Sequence, residues 1–151
     1  MLIFCLLMRL SCEYSIVLDM GGVGEVLAPQ VIAEIGDIRR LKNRNSLIAY
    51  AGIDVPVYQS GKFTATERHI TKRGNKYLRK VGYEIMSSLI ITKRYNADDP
   101  VCQFILKKKS EGMKHKKALI AGFNKFLRIY FARVSEVYAN INGDLVFATN
   151  I

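Results

Sequence analysis

The chain is short of the residues from which disulfide frameworks and most metal sites are built. It holds three cysteines, Cys5, Cys12 and Cys102, an odd number with no metal-ligand or redox spacing. That excludes a disulfide scaffold and reads as the reduced, packed thiols of a cytoplasmic protein. Its two histidines, His69 and His115, are far apart in sequence, which argues against a histidine metal site. Acids are scarce too, with 13 Asp and Glu against 23 Lys and Arg. They are scattered, and the adjacent pair Asp98-Asp99 precedes Pro100, so it reads as a loop and helix cap rather than a metal pair. The opening run MLIFCLLMRL is about half the length needed to span a bilayer. It has no cation before the apolar stretch and no clear small-residue cleavage site, so it reads as a packed segment or the cut edge of a longer chain rather than as a signal peptide. No internal repeat, low-complexity tract or long linker is present.

What is present is a core and a charge. Half of the 151 residues are apolar, enough for one folded domain. The net charge of +10 favours a polyanionic partner, nucleic acid before an anionic membrane surface. The excess is concentrated. Residues 62–80 set seven cations against Glu67, and residues 107–117 set six against Glu111. These two blocks hold the whole excess and leave the rest near balance. One such block is an ordinary solvated face; two of them point to a binding surface.

Periodicity and punctuation predict a mainly helical chain. Gly21 to Asp37 opens as a glycine turn and continues as an apolar helix, with Pro29 in its first turn or at a kink and Gly36 at its stop. Asn45 to Gly52 reads as a short helix capped by Asn45 or Ser46. Pro56, β-formers and Gly61 predict a loop with a short β-ribbon continuing toward Ile70. From near Asn75, Leu78, Val81, Ile85 and Leu89 form one amphipathic stripe. Residues 96–100 break it, and helices over 101–109 and 114–138 follow. The aromatics of the last helix read as core.

Two local features could carry chemistry. Gly22-Val23-Gly24 enters a helix, where free N–H groups and the helix dipole favour an anion; a helix-hairpin-helix grips a DNA phosphate this way. Taken alone it is also an ordinary tight turn. Ser60 is followed by Gly61 and then by the block Lys62, Arg68, Lys72, Arg73, Lys76, Arg79 and Lys80. Lys76, Arg79 and Lys80 are spaced to share one helix face beside the dipole. Cations around a phosphodiester would stabilise charge developing at phosphorus, and a serine hydroxyl needs such help to act as a nucleophile.

Three stretches occur in fixed order: GVGEVLAPQVIAEIGDIRRL, LIAYAGIDVPVYQSGKF and ITKRGNKYLRK. Together they resemble the C-terminal transposase domain of the bridge-RNA-guided insertion-sequence family, over about residues 13–138. The resemblance implies DNA transposition in which the serine of the Ser-Gly motif, here Ser60, attacks DNA and forms a phosphoserine link. It implies that the basic segment Lys72 to Asn75 and the turn at Gly22 and Gly24 contact DNA. Gly21 stands where the family usually has proline, and Leu41 where an aromatic is usual. The family's separate N-terminal domain, resolvase-like with four Mg²⁺-binding acids, has no counterpart in this chain.

The expected protein is thus mainly α. It is a compact helical domain with a helix-hairpin-helix-like N-terminal part and a short ribbon carrying the Ser-Gly motif. Residues 1–12 are an apolar leader or truncation edge, 13–138 the domain and 139–151 a loose tail. Ser60 is the candidate nucleophile. Gly22, Gly24, Lys62, Arg68, Lys72, Arg73, Asn75, Lys76 and Arg79 are the candidate DNA contacts. No metal is expected in this chain, Mg²⁺ belonging to the missing domain. DNA, a guide RNA and a further copy or complete transposase are the expected partners; a membrane is not. The alternative is a non-catalytic nucleic-acid-binding fragment.

Overall fold

A computed structural model describes residues 12–55, 59–60, 63–64, 69–92 and 97–148. Six helices make up nearly all of it. Residues 12–18 form α1. Helix α2 covers Leu27–Ile35, with Pro29 in the first turn, where a missing N–H costs no intrahelical bond. Gly36 stops it at φ 66°, its N–H returning to the Ile32 carbonyl at 2.8 Å. A 3-10 turn, Ile38–Arg40, leads to α3, Arg44–Ala51. The cap of α3 is Asn43, not Asn45 or Ser46. Asn43 is extended (φ −163°) and its carboxamide oxygen accepts from the Ser46 N–H at 3.0 Å, which leaves Asn45 and Ser46 inside the first turn.

After α3 come two two-residue strands, β1 (Gln59–Ser60) and β2 (Phe63–Thr64), paired antiparallel. Helix α4, Lys76–Ile91, starts at its Asn75 cap as expected. Helix α5, Pro100–Ser110, is capped by Asp99, whose carboxylate accepts from the Val101 and Cys102 N–H groups at 2.8 and 2.9 Å. Asp99 is therefore a helix cap. Helix α6, His115–Ala148, runs on past Tyr138, the end that periodicity predicted.

Helix α6 is the spine. It packs against α3, α4, α5 and the 3-10 turn, while α2 packs on α4. Leu78, Ile85 and Leu89 of α4 meet Phe123, Phe126, Leu127 and Tyr130 of α6 in a fully buried core, each such side chain stabilising the fold by about 1.5–3 kcal/mol. Two glycines set the spacing of these helices. A side-chain carbon at Gly82 would stand 2.3 Å from the Phe123 ring, and one at Gly122 would stand 2.4 Å from Ile105. Among the described residues no helix is long and apolar enough to cross a membrane.

One buried acid ties α1 to α6. Glu13 is 5% exposed and accepts from the Tyr138 hydroxyl and, at 3.5 Å, from the Tyr130 hydroxyl. Burial pushes the Glu13 carboxyl above its ordinary value, against the lowering effect of the Tyr138 hydrogen bond. Burial likewise pushes both phenols up. The charged neighbours are Asp37, which adds to the rise at Glu13, and Arg39, which opposes it.

Two measurements test this packing. Gly82→Ala gains about 1 kcal/mol of helix propensity, but the enclosed Phe123 ring cannot retreat, so overpacking should lower stability by a net ~1–3 kcal/mol; chemical denaturation reads this, and Phe123→Leu in the same chain should restore part of it. For Glu13 the folded state favours the proton. Its contribution is complete below the ordinary carboxylate pKa and is lost as pH rises through the folded value. Glu13→Gln removes that titration, so its stability relative to the wild type should climb as pH rises above the ordinary carboxylate value; urea midpoints across a pH series check it.

Candidate nucleic-acid interface

The serine is carried by a hairpin rooted at the end of α3. Gly52 turns the chain out of α3 in the left-handed region, φ 66°. Its carbonyl accepts from the Lys72 N–H at 3.0 Å, and the Asp54 carbonyl accepts from the Thr71 N–H at 3.0 Å. The Thr71 hydroxyl adds a 2.6 Å bond to the Asp54 carboxylate. Further out, Gln59 pairs with Thr64 and Ser60 with Phe63. These pairings nest as the rungs of one antiparallel hairpin do. Only Gly61 and Lys62 separate Ser60 from its partner, so the serine is the last paired residue before a two-residue connection.

The returning strand leads straight into the basic segment. Lys72 holds φ 57°, a conformation that costs a residue with a side chain about 1–2 kcal/mol. Gly74 then passes so close to the end of α3 that a side-chain carbon there would stand 2.1 Å from the Tyr50 carbonyl oxygen. The Asn75 N–H donates to that same carbonyl at 2.7 Å. The segment is thus pressed against α3 by its backbone, which leaves Lys72, Arg73 and Lys76 exposed.

Two residues of the expected DNA-contact set are spent inside the protein. The Asn75 carboxamide oxygen caps α4, accepting from the Tyr77 and Leu78 N–H groups at 2.8 and 3.1 Å. Its NH₂ donates to the Glu34 carboxylate at 2.8 Å and to the Tyr50 hydroxyl at 3.3 Å. Donation from Asn75, with the Arg40 guanidinium beside it, holds the Tyr50 phenol below its usual range. The Arg79 guanidinium donates to the Ala51 and Gly74 carbonyls at 3.0 and 2.9 Å. The face expected to present Lys76, Arg79 and Lys80 together therefore presents Lys76 and Lys80, because Arg79 turns inward to carbonyls that the Gly74 approach brings near.

The profile of the Transposase IS116/IS110/IS902 family matches residues 14–101, the stretch that contains α2, α3, the hairpin and α4. The chain belongs to this transposase family. It is also similar to the 44.8 kDa protein of insertion element IS116 from Streptomyces clavuligerus, at 32% identity over 128 residues. That alignment covers 85% of this chain and 31% of the relative, so the chain spans about a third of the relative's length.

In this chain the glycine turn and the basic segment sit apart. Gly22 lies against Leu89 and the Ile85 carbonyl, near the end of α4, while Asn75 opens that helix, ~20 Å away at 1.5 Å per residue. Gly22 has φ 78°, and a side-chain carbon on it would meet Leu89 at 2.7 Å. Its role in the fold is close packing. A cavity of about 390 Å³ in front of the turn is lined by Asp19, Asp98 and Asp99. Three carboxylates make poor surroundings for a phosphate, whereas Gly24 has no atom near its own would-be side chain. Lys62 and Arg68 lie outside the described residues.

A second cavity, about 870 Å³, opens at the hairpin root. Its lining includes Val55, His69, Ile70 and Lys72 from the hairpin root, Phe104 from α5, and Lys116, Lys117 and Ile120 from α6. Sequence reading marked 107–117 as a charged block but did not join it to the hairpin. Its uneven use could not be read locally: Lys108 is tied to Glu111 at 2.7 Å, while Lys116 and Lys117 reach the cavity. Among the described residues no group of three His, Cys, Asp or Glu is arranged to hold a metal.

The assignment of Asn75 as a cap is testable. Asn75→Ala removes the cap and strands the Glu34 carboxylate, and should cost about 1–3 kcal/mol. Asn75→Asp keeps the cap but sets a carboxylate against Glu34, so its loss should shrink as pH falls. A side chain serving DNA alone would leave thermal stability unchanged in both.

Proposed function

We propose that this chain is the serine-bearing, DNA-contacting part of a transposase. The Ser60 oxygen attacks a DNA phosphorus, an Oγ–P bond forms, the bond from phosphorus to one deoxyribose oxygen breaks, and the strand end is held as a phosphoserine. The serine proton passes to a base and the departing oxygen is protonated in turn. Lys72, Arg73 and Lys76 hold neighbouring phosphates and offset the charge that develops at the reacting one. Asn75 and Arg79 position that segment from inside. One observation carries the reading: Ser60 is the last paired residue of a hairpin whose returning strand is hydrogen-bonded at its root and continues into the exposed cations. Membership of a transposase family makes DNA the favoured polyanion. The acids that bind Mg²⁺ belong, in this reading, to the N-terminal domain that the resemblance implies, and activity requires that domain from a longer protein or another copy.

Labelled DNA incubated with the chain and a full-length relative tests it. A denaturant-stable conjugate should form and map to Ser60. Ser60→Ala should abolish the conjugate and leave DNA affinity intact, and persistence of the conjugate would move the nucleophile elsewhere. Lys72→Ala with Arg73→Ala should lower the slope of log affinity against log salt by about 2. Binding that remains without any conjugate, even with the relative present, would instead favour the non-catalytic binding fragment.

A further inference from the structure

The cavity at the hairpin root combines two properties that a phosphate-binding face alone does not need. Its floor is apolar, built from Ile53, Ile70, Phe104, Met113 and Ile120. Its rim is cationic: Lys72 comes from the first basic block and Lys116 and Lys117 from the second, with His69 beside them. Lys108, paired with Glu111, and Lys125, bonded to the Pro100 carbonyl, stand outside this lining, 5.7 and 5.0 Å from the Phe104 ring centre. None of the described residues lining the cavity is acidic. We infer that this groove takes an unpaired stretch of DNA, its bases against the apolar floor and its phosphates on the lysine rim.

The argument is one of chemical complementarity. A duplex turns its phosphates outward and covers the flat faces of its bases by stacking, so it can use the rim and leaves the floor exposed to water. An unpaired strand offers both a charged backbone and bare π faces, the pairing of surfaces on which single-strand binding rests. Val55 and His69, which line the groove, are also the residues through which the chain leaves for and returns from the ribbon. Ser60 is five residues from Val55, so it stands at most about 18 Å from the groove wall. A strand seated here lies within reach of the serine. This rests on the proposal that the chain acts on DNA, and it assigns the second basic block a share in that site.

The full 151-residue chain is titrated with a labelled oligodeoxythymidine, a duplex of equal length, an oligouridine of equal length and anionic phospholipid vesicles. The oligodeoxythymidine should bind more tightly than each of the others. Phe104→Leu should weaken it roughly tenfold, the loss expected of an aromatic platform, and leave duplex binding unchanged. Lys116→Ala with Lys117→Ala should weaken it and lower its salt slope by about 1.4. Equal losses for single strand and duplex, no loss for the single strand, or preference for RNA or vesicles would overturn the inference. Photocrosslinking of the wild-type chain to an oligonucleotide bearing a halogenated uracil reads the contact without a variant. Crosslinks at Phe104 or within residues 113–124 support the groove, and crosslinks confined elsewhere refute it. Ser60→Ala should retain full single-strand binding, so loss of the serine mechanism and loss of the groove are separately visible.

Discussion

Between the end of α3 and the start of α4 two stretches of backbone come so close that neither Gly52 nor Gly74 has room for a side chain. A carbon on Gly74 would stand 2.4 Å from the Gly52 nitrogen, and one on Gly52 would stand 2.5 Å from the Gly74 nitrogen. This approach sets the geometry of everything around it. It lets Lys72 and Asn75 bond the carbonyls of Gly52 and Tyr50, and it brings the carbonyls of Ala51 and Gly74 within reach of Arg79. The hairpin that bears Ser60 leaves and returns through this junction. A serine on so small a ribbon depends for its position on the rigidity of the root, since a two-stranded hairpin has little stability of its own.

The same junction gives each residue of Lys72-Arg73-Gly74-Asn75 its own task. The glycine permits contact, the asparagine starts the helix and ties it to Glu34 and Tyr50, and the two cations ahead of them stay exposed. Charge and structure are divided among adjacent residues. That division also separates the two ends of α4. Near its start lie Lys72, Arg73 and Lys76; near its end Gly22 packs on Leu89 beside a cavity lined with carboxylates.

Much of the fold was legible because helices announce themselves locally. The stripe Leu78, Val81, Ile85, Leu89, the stop at Gly36 and the caps Asn75 and Asp99 all follow from spacing and from what side chains can offer an orphan N–H. The reading failed where several residues compete for one role. Asn43, Asn45 and Ser46 are all good caps, and the choice fell to Asn43 through backbone conformation, which composition does not display. The end of α6 escaped for a related reason, since periodicity fades after Tyr138 while the backbone hydrogen bonding continues to Ala148.

Local sequence, then, determined the helices, most of their ends and the two blocks that hold the charge, because propensity, capping and periodicity act over a few neighbouring residues. It also determined the family, through three motifs in a fixed order. Only the tertiary structure decided which cations are free and which meet. Arg79 is turned inward by carbonyls from another element, and Lys72 reaches the cavity shared with Lys116 and Lys117 because α6 packs beside α3. Those encounters join residues dozens of positions apart, and the burial that brings them together is a property of the whole core rather than of any stretch within it.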